Sequence, residues 1–518
     1  MNMNKYKEKK IFEAPTEYAQ YWHYTCKPNV DNGYNIEYKL TPNSGNSYRG
    51  IFTSDRDRIM YTTCFLRLAA KTQIFRVGSN DHLRTRLTHT LEVSQIARTI
   101  AKELGANIDL VEAIALGHDV GHTPFGHSGE RQLNEISQNQ LEYLKVKKMF
   151  CDKSPLENCN GFKHNQQSVR VLVDYSHDIS LTNYCLYGIR NHSSLLYNNS
   201  SNTNSMSFYD RYNQYCSYQD NSTSRLFPSW SLEAVIVYWA DEIAQRHHDI
   251  EDAYRCRLIS KEKIVTLLKD LMNYFEEYTE HNLNPDYDIY CECKHFESKL
   301  RSIEDNINDK NKFSKNLSSM VVDFYVSALI REMLYALDEL SAQNNGINSH
   351  NDFVDKYLEL SESEIWKLFK LESGNAKAFT KVNKSFEKKL KNIIMPSYDV
   401  QRQDGKGSFI TRKLLNAYIT NSQQLPDEYI KRIFNIEIPM CLNGEQLNIV
   451  RACLGESFDD DFISWDIVAC RNALNKLSTV PETASAYAII YPLLFRVIFD
   501  YISGMTDLFA LEEYRQLY

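Results

Sequence analysis

The chain has 518 residues, of which 43% are hydrophobic and 24% are charged. This composition excludes a disordered chain and provides enough apolar residues for a large core. The 59 basic and 67 acidic residues give a formal net charge of −8, which argues against a basic nucleic-acid coat protein. No apolar run approaches the roughly 20 residues of a membrane helix, and no signal peptide precedes the chain, so we expect a cytoplasmic protein.

Helical periodicity begins near Ser54, after a polar and turn-rich segment. Apolar residues in the stretch 93–104 recur at helical spacing, and Gly105 provides a C-terminal stop. The next helix is predicted to begin near Asp109, with Glu112 as its capping-box partner. The chain therefore enters a helical region within its first quarter.

The rest of the sequence also predicts helices. Residues 197–224 are rich in Asn, Ser and Tyr without an apolar period, which predicts a surface loop or lid. Ser231 then begins a strong helix, and later helices are interrupted by polar loops that include 401–408. A further apolar helix is predicted over 492–508. The fold class is mainly α, with three regions: an N-terminal segment (1–53), a core (54–260, with the insertion 197–229) and a C-terminal helical region (261–518).

One group of polar residues suggests a metal site. Six of the fourteen histidines lie between residues 82 and 164, and His118 is followed directly by Asp119 near the end of an apolar helix. An imidazole and a carboxylate can bind one divalent cation, to which His89 and Asp241 could add two ligands. Spacing alone leaves the alternative open that His118 and Asp119 are a structural pair and that Asp241 caps or forms a salt bridge.

Five blocks within 54–255 resemble one enzyme family, and they occur in that family's order. The blocks are SDRDRIMYTTCFLRLAAKTQIF, RTRLTHTLEVSQIARTIA, HDVGHTPFGHSGE, FKHNQQSVRVL and LEAVIVYWADEIAQRHHDIEDA. Together they resemble the HD-domain deoxynucleoside triphosphate triphosphohydrolases, in particular the bacterial dGTPases. The resemblance implies an HD-domain helical core and a dGTP triphosphohydrolase, which releases a deoxynucleoside and intact inorganic triphosphate.

The resemblance also implies a ligand set for one divalent metal, Mn²⁺ or Mg²⁺. The residues that match the family's ligands are His89, His118, Asp119 and Asp241. Two imidazoles and two carboxylates leave coordination positions for water and a phosphate oxygen. His127 and Glu130 match the catalytic histidine and its carboxylate, because a histidine can donate a proton to the departing 5′ oxygen.

Further matches concern the substrate. His122, His164 and Arg86 match residues that contact the triphosphate, to which they would donate hydrogen bonds. Gln73 and Asp249 match residues that hold the sugar 3′-hydroxyl. Two positions depart from the family pattern: Leu66 stands where dGTPases commonly carry an arginine, and Gln245 stands where many relatives have a tyrosine.

Alternatives remain open at this point. One is a less selective dNTPase or another HD-type nucleotide phosphohydrolase, and another is a nucleic-acid-binding regulatory protein with a vestigial HD site. By analogy with the family we expect a homo-oligomer, a hexamer or a tetramer, in which the C-terminal region completes the substrate pocket. Single-stranded DNA is an additional candidate partner, no membrane contact is expected, and the base selected by the enzyme is not predicted beyond the preference for dGTP.

Overall fold

The structure is a computed structural model that gives the position of most of the chain. The residues it describes are 10, 13–14, 21–28, 34–41, 49–73, 84–137, 161–176, 179–193, 217–219, 226–228, 231–282, 289–305, 308, 310–343, 346, 348–349, 352, 367, 369–371, 377–455 and 462–518. Within these ranges helices predominate, which confirms the predicted fold class.

Two small antiparallel strand pairs accompany the helices. Strands β1 (Tyr21–Pro28) and β2 (Tyr34–Thr41) pair with Tyr21 opposite Thr41, in the segment expected to be merely polar and turn-rich. Strands β3 (Ser217–Gln219) and β4 (Leu226–Pro228) lie in the predicted insertion. The remainder of the predicted loop 197–224 lies outside the described residues.

The first helical layer surrounds the predicted site. Its helices are α1 (Ile51–Met60), α2 (Thr63–Arg67), α3 (Arg86–Leu104), α4 (Ile108–Gly117), α5 (His127–Ser137), α6 (His164–Arg170), α7 (Asn183–Asn191) and α8 (Leu232–Arg255). Apolar side chains of α3, α4 and α8 form one buried core. Gly105 ends α3 with φ of 71°, a left-handed conformation that glycine adopts at low cost, so the predicted stop is confirmed.

The predicted start of α4 was two residues late. Asn107 caps the helix, because its side chain accepts a hydrogen bond from the Leu110 amide at 3.1 Å. Asp109 instead accepts from the Thr53 hydroxyl at 2.8 Å. Glu112 forms ion pairs with arginines of neighbouring helices rather than a capping box. An asparagine is as good an N-cap as an aspartate, so Asn107 can begin the helix before Asp109 is reached.

The remaining helices form a second layer, which extends the first core and also builds a second core. They are α9 (Lys261–Asn282), α10 (Ile289–Asp305), α11 (Lys310–Gln343), α12 (Lys377–Ile394), α13 (Tyr398–Thr420), α14 (Asp427–Arg432), α15 (Ile438–Cys441), α16 (Gly444–Leu454), α17 (Ile467–Thr479), α18 (Ala484–Gly504) and α19 (Asp507–Leu517). The second core is built mainly from α13 to α19.

Helix α18 differs from its prediction in both bounds. It begins before Pro492, runs through it, and ends at Gly504. Together with the turn before it, the segment Pro481–Gly504 is long and apolar enough to cross a membrane, but 78% of its most apolar window is buried inside the protein. Among the described residues this is the one helix with that property, and its burial identifies it as a core helix.

The predicted loop 401–408 is wrong, because these residues lie inside α13. The two glycines suggested a break, but they have different surroundings. A Cβ on Gly405 would meet nothing within 4 Å, whereas a Cβ on Gly407 would lie 2.6 Å from the Phe125 Cβ and 2.6 Å from the Ser128 hydroxyl. Gly407 therefore allows α13 to approach the turn that precedes α5 closely.

Candidate functional site

Three helices bring the four predicted metal ligands together. Helix α3 carries His89, His118 and Asp119 follow directly after α4, and α8 carries Asp241. The ligand atoms of His89, His118 and Asp119 lie within 4.8 Å of one another. The Asp241 carboxylate lies 3.0 Å from His89 Nε2. Two ligand atoms bound side by side to an octahedral ion at about 2.1 Å would be about 3.0 Å apart, so this separation fits a shared cation.

The orientation of His118 also fits a metal ligand. Its Nδ1 hydrogen-bonds the Ala115 carbonyl at 2.6 Å, which requires the proton to be on Nδ1. Its Nε2 is buried and has no hydrogen-bond partner. A buried nitrogen lone pair without a partner is costly unless a cation or a donor faces it.

The charges of the cluster suit cation binding. Burial lowers the pKa of His118, so its imidazole is neutral. Burial opposes ionisation of Asp119, but the Arg86 guanidinium holds the pKa of that carboxyl well below its usual range. The same balance between burial and the neighbouring His89 keeps the pKa of Asp241 low. Neutral imidazoles and ionised carboxylates are the forms in which these side chains bind metals.

A second cluster is centred on the Glu130 carboxylate, which three imidazoles surround. His164 Nδ1 lies 3.1 Å from Glu130, His127 Nδ1 lies 3.6 Å away and His122 Nε2 lies 3.8 Å away. The rings of His122 and His164 are stacked with centroids 4.6 Å apart. Ligand atoms of Asp119, His122 and His164 lie within 4.8 Å of one another, so this cluster is continuous with the metal-ligand cluster.

The members of the Glu130 cluster differ in charge. Burial raises the pKa of Glu130, but the adjacent His164 outweighs it, and the pKa lies well below its usual value. Burial likewise lowers the pKa of His164, and Glu130 more than reverses that effect. For His122, burial and the Arg86 charge together lower the pKa well below its usual value. Glu130 therefore favours the protonated form of His164, whereas His122 is held in its neutral form.

The turn before α5 presents His127 at the surface of a cavity. Phe125 and Gly126 have φ values of 62° and 61°, which is unusual for phenylalanine. The Phe125 amide donates to Asp507 of α19 at 2.9 Å, and the Thr123 hydroxyl donates to the Gly126 carbonyl at 3.0 Å. The side chain of His127 is 55% exposed, so it is accessible to a ligand in the cavity.

The cavity has a volume of about 430 Å³ and brings together residues from both layers. The predicted site residues that line it are Gln73, His127, Glu130 and Asp249. Gln245 lines it as well, and the C-terminal region contributes Lys391, Ile394, Met395, Val400 and Asp404. Burial raises the pKa of Asp249 to about 7. One oxygen of Asp249 and the Gln73 side-chain oxygen are buried without a hydrogen-bond partner, so both could bind a hydroxyl group.

Three predicted substrate residues do not line this cavity. Arg86 forms an ion pair with Asp119 at 2.5 Å. His122 and His164 contact Glu130, which lines the cavity, and the His122 ring also lies 5.4 Å from that of His127. The predicted phosphate contacts of these three residues thus stay predictions, although all three adjoin the space between the two clusters.

Sequence reasoning missed three histidines. His192 is buried at the end of α7, its Nδ1 hydrogen-bonds the Ile189 carbonyl at 2.7 Å, and its Nε2 has no partner, as in His118. The His192 ring lies 5.0 Å from that of His118. His247 and His248 of α8 lie beside Glu92. None of the three stands in a recognisable spacing, and a lone histidine after an apolar helix was the one available signal for His192.

The Glu92, His247 and His248 group could itself hold a metal by its geometry. However, the Arg84 guanidinium already lies within the group: it is 3.4 Å from Glu92, 3.4 Å from the His247 ring and 3.1 Å from Asp252, and it contacts Glu251. A fixed cation at this position repels a second one. We therefore regard this group as an ion-pair network.

Two protein-family models match parts of this chain. The family model of the HD domain matches residues 86–246, and the model of the phosphohydrolase-associated domain matches residues 493–516. The first range contains all four candidate ligands, and the second contains Asp507. Residues 86–246 of this chain thus form an HD domain.

Several similar proteins share one name. A deoxyguanosinetriphosphate triphosphohydrolase-like protein of Rickettsia felis is 28% identical over 487 residues, 93% of this chain and 94% of its own length. Proteins of the same name from Caldanaerobacter subterraneus and Clostridium tetani are 41% and 38% identical over 224 and 228 residues, each covering 43% of this chain and 50% or 51% of the relative. Along most of its length the chain is therefore similar to deoxyguanosinetriphosphate triphosphohydrolase-like proteins.

Proposed function

We propose that this protein is a metal-dependent deoxynucleoside triphosphate triphosphohydrolase with dGTP as its favoured substrate. Water would add to the α-phosphorus, the bond from that phosphorus to O5′ would break, and the products would be deoxyguanosine and triphosphate. The observation that carries the proposal is the joint arrangement of the two clusters: four metal ligands adjoin the Glu130 group, which opens into a cavity lined by Gln73 and Asp249.

The proposed cofactor is one divalent ion, Mn²⁺ or Mg²⁺. His89, His118, Asp119 and Asp241 would hold it. When bound, the ion would polarise the α-phosphate and offset the charge that develops on it. Arg86 keeps Asp119 ionised and in position.

The proposed leaving-group acid is His127. The departing O5′ is an alkoxide and therefore a poor leaving group unless it receives a proton. His127 is exposed to the cavity, and its Nδ1 faces Glu130 at 3.6 Å, which leaves Nε2 free to carry the proton toward O5′. The hydroxyl of the attacking water remains on the triphosphate. The other hydrogen of that water replaces the proton that His127 gives to the deoxynucleoside.

The other residues of the site are assigned to binding. A cationic His164 and the Arg86 guanidinium suit phosphate oxygens, and neutral His122 can donate one hydrogen bond. Gln73 and Asp249 would bind the sugar 3′-hydroxyl. The base would lie against the end of α12 and the start of α13, because Ile394, Met395 and Val400 line the cavity.

The proposal extends to cellular context. We infer a cytoplasmic enzyme, in keeping with the burial of its one helix of membrane length among the described residues. A homo-oligomer, hexameric or tetrameric, and binding of single-stranded DNA are proposed by analogy with the family alone. Light scattering and a fluorescence-anisotropy titration with a labelled oligonucleotide test these two points.

A product assay tests the reaction. The purified protein receives Mn²⁺ or Mg²⁺ and each dNTP or GTP separately, and ³¹P NMR identifies the phosphorus products. We expect intact triphosphate, with dGTP the fastest substrate. Pyrophosphate with a monophosphate, or stepwise orthophosphate, would mean another cleaved bond and another HD-type phosphohydrolase. No turnover, even with a second dNTP or single-stranded DNA present, would favour a regulatory binding protein.

A further inference from the structure

A chain of hydrogen bonds leads away from the proposed metal site toward the protein surface. His248 of α8 is 1% exposed, and its Nδ1 lies 3.2 Å from His89 Nδ1. On the opposite side of the ring, His248 Nε2 hydrogen-bonds the Glu92 carboxylate. Arg84 contacts the other Glu92 oxygen at 3.4 Å.

These contacts determine where the protons lie. A carboxylate only accepts hydrogen bonds, so His248 must donate from Nε2. In the neutral ring, Nδ1 of His248 then carries a lone pair and accepts. His89 must therefore donate from its own Nδ1, and His89 Nε2 is left with a lone pair directed at Asp241, 3.0 Å away. An acceptor nitrogen and an acceptor oxygen at this distance need a cation between them.

We propose that Glu92 and His248 are positioning residues that set the tautomer and ring orientation of His89, so that its Nε2 is ready to bind the metal. The inference deepens the proposed function and rests on the metal site in it. Neither residue would touch the ion or the substrate.

The helix register explains why Glu92, His248 and His89 form this chain of hydrogen bonds, which we call the relay. Glu92 and His89 are three residues apart on α3, and His248 and Asp241 are seven residues apart on α8, so each pair lies on one helix face. The two faces meet where α3 packs on α8. The packing that buries the core between these helices therefore also aligns the relay with the ligands.

The experiment is a titration of the metal-free protein with Mn²⁺ by isothermal calorimetry, which requires no turnover. We expect His248→Leu to weaken binding about 10- to 100-fold, the usual cost of losing an outer hydrogen-bond partner of a ligand. His248→Asn should restore most of the affinity, because the Asn oxygen can replace Nδ1 as the acceptor. His247→Leu is the matched control: that residue is adjacent and buried, but it has no contact with His89, so its affinity should stay within about threefold of wild type.

Equal affinities of wild type and His248→Leu would overturn the relay, as would equal losses in the Leu and Asn variants. If wild type itself binds no Mn²⁺, the proposed function fails instead. Long-range ¹H–¹⁵N spectra of histidine-labelled, metal-free wild type provide an independent readout, assigned with a His89→Gln variant. We expect the His89 proton on Nδ1, and a proton on Nε2 with a bare Nδ1 would overturn the proposal even if a variant failed to fold.

Discussion

The two halves of the candidate site are supported by different parts of the molecule. The four candidate metal ligands lie on α3, directly after α4 and on α8, all within the range matched by the HD domain. The turn that carries His127 lies in the same range, but its support comes from much farther along the chain. Asp507 of α19 accepts hydrogen bonds from the Phe125 and Thr72 amides, and Gly407 of α13 packs against Phe125.

The residues proposed to bind the metal and the contacts that support the proposed proton donor thus lie in different parts of the chain. Lys71 strengthens the connection, since its buried ammonium group donates to the His122 and Ser503 carbonyls. The candidate ion site is thus formed by neighbouring helices of one region, whereas the position of His127, the proposed proton donor, depends on contacts between distant regions. Substitutions in the two parts should consequently affect different measurable properties.

The largest effect is expected at the ion itself. His118→Ala removes a ligand, so both Mn²⁺ affinity and turnover should be lost, the latter by at least about 1,000-fold. Calorimetry and the product assay measure the two, and circular dichroism checks that the helices remain. Wild-type turnover in this variant and in Asp119→Ala would contradict the assignment of these residues as metal ligands.

The next effect isolates the proton donor. His127→Ala should retain wild-type Mn²⁺ affinity and lose about 100- to 10,000-fold in kcat, the usual contribution of a general acid. Calorimetry gives the Mn²⁺ affinity and the product assay gives kcat, and both are measured on the same preparation of wild type and variant. If the rate is unchanged, another group must protonate O5′.

A smaller effect is expected at the distant support. Asp507→Ala leaves the Phe125 and Thr72 donors without their acceptor, which costs about 1–3 kcal/mol for a buried group. We expect kcat to fall with little change in Mn²⁺ affinity, together with a lower midpoint of chemical unfolding. A loss of affinity as large as that of His118→Ala would show that the two halves of the site are not separable.

The smallest effects form a matched pair on α13. Gly407→Ala places a methyl group 2.6 Å from the Phe125 side chain, so overpacking should cost about 1–3 kcal/mol and reduce kcat. Gly405→Ala has open space and sits in the same helix, so it should stabilise the protein by about 0.5–1 kcal/mol without affecting the rate. Urea titrations measure both, and equal behaviour of the two variants would contradict the close packing at Gly407.

The sequence predicted features that depend on nearby residues better than features that depend on contacts between distant regions. Local signals such as Gly105 and the N-cap at Ser231 gave correct helix ends, because the interactions involved span a few residues. The loop predicted at 401–408 was wrong, since the reason for Gly407 lies on another helix. His192 and His248 were missed for a related cause: their importance depends on which rings they meet, and periodicity alone does not supply that information.

The contact between Asp507 and the Phe125 turn has a consequence for how this enzyme could be divided or recombined. A fragment restricted to the residues of the HD match would contain every candidate ligand and His127, and still lack the carboxylate that holds the turn. The same reasoning applies to a chimera that joins this HD domain to a C-terminal region from a relative. A segment that matches a domain family can therefore be smaller than the unit needed to build the candidate site.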